Sequence, residues 1–280
     1  VGVYQEQMMK IAHDMAGFTL SEADTLRKAI GKKIKELLDE QREKIINGLI
    51  KNGIDEITAE KIWDLFPPFA RYGFNRSHAA SYAMVSYKTA YLKAHYPVQF
   101  MASLLNVSGS DVERINFLIN EAKRLEIPVL PPDVNASFED FTPVQDEIRF
   151  GLAAIKNVGG NIVKEVIDER GRGGPYTGFS DFLSRVQHRD LNKKSLESFV
   201  KSGAFDSMGI DRAQALENME DILKFCQAVR KNNGTNQNDL FAGGGYKSEL
   251  KLKPLKQPID KKIILKWEKE LLGIYLTDNP

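Results

Sequence analysis

Arg76 and His78 stand in the run Gly73-Phe74-Asn75-Arg76-Ser77-His78-Ala79-Ala80, at the start of a stretch patterned as a long helix. Two such side chains at a helix start can hold an anion. Asn75 or Ser77 suits the N-cap, and the first free N–H groups, the positive dipole end, Arg76 and His78 would together face a phosphate. An ordinary capped helix with a surface Arg and His carries the same residues, so both readings stand on the motif alone. A second set of cations, Arg27, Lys28, Lys32, Lys33 and Lys35, follows Glu22 and Asp24. Acids first and bases later match a helix dipole, and a solvated helix face is the plain alternative to an anion-binding one.

Phosphate chemistry of another kind is suggested by Lys156-Asn157-Val158-Gly159-Gly160-Asn161, set between apolar runs and followed by Lys164. A short helix, a tight glycine turn and a second helix from near Asn161 form the pattern of a helix-hairpin-helix. Consecutive glycines let the backbone approach a phosphate while the N–H groups of the next helix start point at it. A looser version lies at Leu191 to Val200, then Lys201-Ser202-Gly203-Ala204-Phe205, then a helix from about Asp211, with Lys193 and Lys194 nearby. Paired hairpins would grip the sugar–phosphate backbone at two points without reading bases. Further on, Gln237-Asn238-Asp239-Leu240-Phe241 lies in a polar, breaker-rich segment. Leu240 and Phe241 there either fold back onto the domain or anchor a partner.

The elements that must position these groups are mostly helical. Ser77 to His95 carries Ala80, Ala83, Met84, Tyr87, Ala90, Tyr91 and Ala94 at helical spacing before Pro97, which predicts a buried helix with a rigid N-terminus. Upstream, helices are expected over Tyr4 to Gly17, Ser21 to Ile30 and Glu36 to Lys51, and from a Thr58 cap to about Leu65. Asp111 is read as the cap of Val112 to Leu125, and Phe138 to Val144 with Glu147 to Phe150 as short strands. The expected fold is mainly α: a helical domain over 1–150 with a small β element near 127–150, then a helical domain over 151–245 with tandem helix-hairpin-helix motifs. Residues 246–280 read as a basic linker, a helix at Ile263 to Leu272 and a strand at Gly273 to Leu276.

Composition narrows the classes. With 42% hydrophobic and 28% charged residues in 280, the chain can form a core, and it shows no signal-type or membrane-spanning stretch. One cysteine, Cys226, and four His exclude an internal disulfide and speak against a multi-Cys metal site, which points to a reducing cytoplasm. A net charge of +1 means that nucleic acid would be held by local patches only. The chain reads as an excised piece of something longer.

Taken together, six segments resemble the alpha subunit family of bacterial DNA polymerase III, the C-family replicative polymerases, over essentially the whole chain. They are Tyr4-Gln5-Glu6-Gln7, Leu26-Arg27-Lys28-Ala29-Ile30-Gly31-Lys32-Lys33, Tyr72 to Ala80, Lys93-Ala94-His95-Tyr96-Pro97, Leu130-Pro131-Pro132-Asp133-Val134-Asn135 and Lys201-Ser202-Gly203-Ala204-Phe205-Asp206. The resemblance implies a fingers domain up to about 150 and a clamp-binding domain to about 245, followed by the connection to an oligonucleotide-binding domain. It implies that Arg27, Lys28, Lys32, Lys33, Arg76, Ser77 and His78 surround the incoming deoxynucleoside triphosphate and template. Arg76 stands where Lys is also common, which exchanges a point charge for a planar fork. It further implies that Lys156, Asn157, Val158, Gly159, Gly160, Asn161, Lys164, Lys201, Ser202 and Gly203 meet primer–template DNA, and that Gln237, Asp239, Leu240 and Phe241 plug into the sliding clamp (the beta subunit). Other replicase subunits are implied partners. The family transfers nucleotides with two magnesium ions on palm aspartates. No Asp-x-Asp occurs here, the nearest approach being Glu22-x-Asp24, so the chain is expected to bind no metal, to lack the palm and to be inactive alone. A non-enzymatic helix-hairpin-helix DNA-binding module, or a structural protein that docks through Leu240 and Phe241, remains a competing reading.

Overall fold

The computed structural model describes residues 3–32, 35–68, 73–109, 111–234, 250–255 and 259–277. Among them the chain is mainly helical and divides into two compact units, Val1–Tyr91 and Leu92–Pro280.

In the first unit, helices Gln5–Ala16, Leu20–Lys32, Lys35–Lys51 and Glu56–Trp63 enclose a core of Met8, Ala12, Leu26, Ile45, Leu49, Trp63 and Phe66. The first helix stops at Gly17, whose φ of 71° lies in the left-handed region that glycine enters without a Cβ penalty. Gly48 serves a different need. A Cβ there would stand 2.1 Å from the Ala16 carbonyl oxygen, so the bare Cα is what lets the first and third helices meet. The helix near residue 58 is capped by Asp55 and not by Thr58. Thr58 lies three residues in, and its N–H donates to Asp55 Oδ1 at 2.9 Å.

The second unit begins with helices Pro97–Val107 and Val112–Arg124, the latter capped by Asp111 as its sequence predicts. Three short strands follow in the order β1-β3-β2: β1 is Val129–Leu130, β2 Thr142–Val144 and β3 Glu147–Arg149. β1 runs parallel to β3 with Val129 opposite Ile148, and β2 pairs antiparallel with Thr142 opposite Arg149. The β element is thus where it is expected, but Phe138 to Phe141 is not strand. Helices Gly160–Gly173, Phe179–Arg185, Lys193–Lys201, Arg212–Glu217, Met219–Gly234 and Lys261–Leu272 complete the unit.

One continuous core runs from Val98 through Ile148, Phe150, Phe182, Phe199 and Phe205 to Leu271. Packing therefore does not divide the chain near 150. Phe150 is fully buried and its ring sits edge-on to Phe141 at 4.6 Å, so the small sheet belongs to the same core as the helices after it. The segment read as a linker is also tied down where it is described. Leu250 and Leu252 pack on the core, and Lys253 bonds Asp221 at 2.8 Å through Nζ and Asn218 through its N–H. Gly273 to Leu276 forms no strand; Gly273 turns the chain at φ 78° and Ile274 is buried. No helix among the described residues is long and apolar enough to cross a membrane.

Candidate nucleic-acid interface

The Arg76–His95 helix starts as its sequence suggests, with Asn75 Oδ1 accepting the His78 N–H at 3.1 Å and the Ser77 hydroxyl. Its anion position is already taken by the chain itself. The Glu6 carboxylate receives the Arg76 N–H, at 3.0 Å to Oε2 and 3.2 Å to Oε1, and so supplies the negative charge that a helix start favours. The His78 ring lies between Phe74 and Tyr82, with centroids at 5.2 and 4.4 Å. The rest of this helix overturns the expectation of a buried element. None of its residues is buried, and Tyr82, Met84, Val85 and Tyr87 are all more than half exposed. Apolar residues surround the helix on every side, so their spacing does not select a face that the first unit covers.

Arg27 and Lys28 do not project as free cations. Both close on Asp24, Arg27 Nε to Oδ1 at 2.9 Å and Lys28 Nζ to Oδ2 at 2.8 Å. Lys28 and then Arg27 hold the Asp24 carboxyl below its usual range. Gln5 links these cations to the anion segment. Its Nε2 donates to the Gly73 carbonyl at 2.8 Å, and it lines one narrow crevice with Leu26, Arg27 and Ile30. The Gln5 N–H also donates to the Phe74 carbonyl at 3.1 Å, and Tyr4 bridges Phe74. The first helix thus brings Arg27 and the Arg76 segment to its own N-terminal end. Lys32 ends the second helix, while Lys33 lies outside the described residues, as do Gln237, Asp239, Leu240 and Phe241.

In the second unit the first hairpin has the expected form. A 3-10 turn at Leu152–Ala154 leads through Lys156 and Asn157 to Gly159, the N-cap of the Gly160–Gly173 helix. Gly159 offers no capping side chain, so the helix begins with uncapped N–H groups; the helical bonding takes hold at Val163, which donates to Gly159. The residue that makes the turn is Asn157, at φ 68°, a conformation Asn tolerates better than most residues. Neither glycine has a positive φ. A Cβ at Gly159 would meet nothing within 4 Å, and one at Gly160 only Glu139 Oε1 at 3.9 Å. Lys156, Asn161 and Lys164 are exposed around this opening, while Val158 is buried and fixes the turn.

The second hairpin keeps its two helices, Lys193–Lys201 and Arg212–Glu217, but its turn is closed on itself. Ser202 and Gly203 are buried, and the N–H groups of Ser202, Gly203, Ala204, Asp206, Met208 and Gly209 all donate to carbonyls of the same motif. No open donor remains at Ser202 or Gly203 for a phosphate. Lys201 is half-buried and lies 3.9 Å from Glu197. Sequence reasoning missed three residues: Glu6 at the Arg76 helix start, and the buried pair Arg212 and Glu268. Glu6 lay within a motif already noted, whereas the Arg212–Glu268 contact spans 56 positions and leaves no local signal. Among the described residues no group of three or more His, Cys, Asp or Glu could hold a metal ion.

Comparison with known proteins places the chain. A family model for the bacterial DNA polymerase III alpha subunit finger domain matches residues 1–53, and a helix-hairpin-helix motif model matches residues 126–215. The chain is 45% identical over 282 residues to the DNA polymerase III subunit alpha of Thermus aquaticus, covering 100% of this chain and 22% of that protein. It is 40% identical to the counterpart from Borreliella burgdorferi and 41% to that from Mycobacterium tuberculosis, in each case over 99% of this chain and 24% of the relative. The chain therefore spans about a quarter or less of the relatives it matches.

Proposed function

We propose that the chain, a segment of a bacterial DNA polymerase III alpha subunit, supplies part of the fingers and a duplex-gripping hairpin to a DNA-directed DNA polymerase. The observation that carries the DNA reading is the bare surface at Gly159 and Gly160. Neither glycine answers a backbone or packing need, since φ is ordinary and the space beyond is open. What the missing side chains do provide is access. A phosphate can come within hydrogen-bond distance of the uncapped N–H groups at the helix start, with Lys156 and Lys164 beside it. Contact of this kind reads the sugar–phosphate backbone and not the bases, as a polymerase that moves along any sequence requires.

In the first unit, Arg76, Ser77 and His78, with Arg27, Lys28, Lys32 and Lys33, are proposed to meet the triphosphate of an incoming deoxynucleotide or the template. Glu6 would have to yield the Arg76 N–H to a phosphate there, and Asp24 would have to share Arg27 and Lys28. Gln237-Asn238-Asp239-Leu240-Phe241 is proposed to dock on the sliding clamp, with Leu240 and Phe241 as buried anchors. Two-magnesium chemistry on palm carboxylates would come from other parts of the longer protein, so this piece alone is proposed to be inactive.

Fluorescence anisotropy with short duplexes of unrelated sequence tests the DNA reading. Equal affinity for all of them, falling steeply as salt rises, is expected. Strong preference for one sequence, or binding unaffected by salt, would remove it. Replacement of Leu240 and Phe241 by Ala should abolish clamp binding without unfolding the chain; retained affinity would sink that assignment.

A further inference from the structure

Arg212 is a buried cation that the proposed DNA contact does not use. Its Nε and Nη2 meet the Asp206 carboxylate at 2.5 to 3.1 Å, and its Nη1 donates to the Lys201 carbonyl at 3.2 Å and to Glu268 Oε1 at 3.1 Å. Burial opposes its charge, but hydrogen bonds and charge from Asp206 and Glu268 prevail and raise its pKa. The guanidinium fills the place where a side chain on Gly203 would stand, 2.3 Å from that Cβ, and Gly203 itself turns at φ 83°. Glu268 is only 1% exposed. Its second oxygen, Oε2, accepts the N–H groups of Leu276 and Thr277 at 2.9 and 3.1 Å. One carboxylate therefore ties the second hairpin, the Lys261–Leu272 helix and the turn after it.

The same end of this helix also reaches the first hairpin. The Leu271 carbonyl accepts the Lys156 N–H at 3.0 Å. Around the second hairpin Glu197 is shared by Lys193 and Lys201, Asp206 and Glu268 hold Arg212, and Asp211 caps the next helix, so the charges close on one another within the motif.

We infer that the second hairpin makes no phosphate contact and instead anchors a brace, the 261–277 segment, that sets the pose of the first hairpin, with Glu268 and Arg212 as its positioning residues. The functional half of this rests on the first hairpin being the phosphate contact; the brace itself rests only on the bonds just described.

Hydrogen exchange and salt-dependent duplex binding of the full 280-residue chain test it together. In Glu268→Ala, exchange at Lys156, Leu276 and Thr277 should accelerate at least about tenfold. Duplex affinity should fall severalfold with an unchanged slope of log K against log salt, because the slope counts phosphates neutralised and not how well the hairpin is posed. Glu268→Gln keeps an oxygen for Leu276 and Thr277, so it should restore their protection in part, and it remains informative if the Ala variant fails to fold. Lys201→Ala should leave both affinity and slope unchanged. Unaltered exchange at Lys156 in both Glu268 variants would overturn the brace, and a slope reduced by about one in Lys201→Ala would overturn the loss of phosphate contact. If Gly160→Ala leaves duplex affinity unchanged, the DNA reading of the first hairpin fails, and exchange at Lys156 still decides the brace.

Discussion

Gly160→Ala is expected to make the protein more stable and a poorer ligand for duplex DNA at once. Gly160 opens the 160–173 helix with an ordinary φ, and a Cβ there would lie 3.9 Å from its nearest neighbour, so a methyl group fits without strain. Replacing Gly by Ala at a compatible site restricts the unfolded chain and raises stability by about 0.4–1 kcal/mol. Binding should move the other way. The methyl group would stand in the space through which a phosphate oxygen must come to reach the uncapped N–H groups. Loss of one hydrogen bond to a charged group is worth roughly 1.5–3 kcal/mol, or about 10- to 150-fold in Kd. Urea denaturation of the free chain and anisotropy titration with duplex measure the two effects on the same preparation. Raised stability with unchanged affinity would refute the reasoning, because it would show the bare glycine surface to be unvisited by any ligand.

Three further outcomes are expected. Lys156→Ala and Lys164→Ala should each weaken binding equally for all duplex sequences and reduce the salt slope by about 0.9 if each neutralises one phosphate, as read from titrations across a salt series. Gly48→Ala should destabilise the first unit by about 1–3 kcal/mol in urea melts, since its Cβ would lie 2.1 Å from a backbone oxygen and force two packed helices apart. The Asp55 carboxyl is held below its ordinary value of 3.8 by bonds from Thr58, so its contribution is complete above that pH and is lost as pH falls through the depressed value. Asp55→Asn keeps the cap but not the titration, and should flatten that part of an acid-unfolding curve.

Local signals made much of the fold legible. Gly17 and Asp111 mark element ends through bonds made within a few residues and are found where their residues place them, whereas the turn read at Gly159–Gly160 is made by Asn157, with Gly159 as the N-cap that follows. Asp55 takes the cap that the pattern gives to Thr58, because both residues are capping types three positions apart and only the bond between them decides. The 76–95 helix shows the other limit. Its apolar spacing suits a buried element, but Tyr82, Met84, Val85 and Tyr87 point to all sides, and spacing cannot say what covers them. Ser202 and Gly203 resemble a phosphate turn in composition, yet their donors are spent within the motif and their packing partner Arg212 is held by the distant Glu268. The division of the chain behaves alike. The change from short strands to helices near 150 looks like a boundary, while the buried Ile148 and Phe150 join what lies on either side of it.

The most direct test of the account is hydrogen exchange of the intact chain with and without a short duplex of arbitrary sequence. Protection should appear at the amides of Gly159 to Val163 and vanish as salt is raised, with none gained at Ser202 to Gly209. Unchanged exchange at 159–163 on saturation with duplex, or protection gained at 202–209 instead, would contradict the claim that the first hairpin holds the DNA backbone.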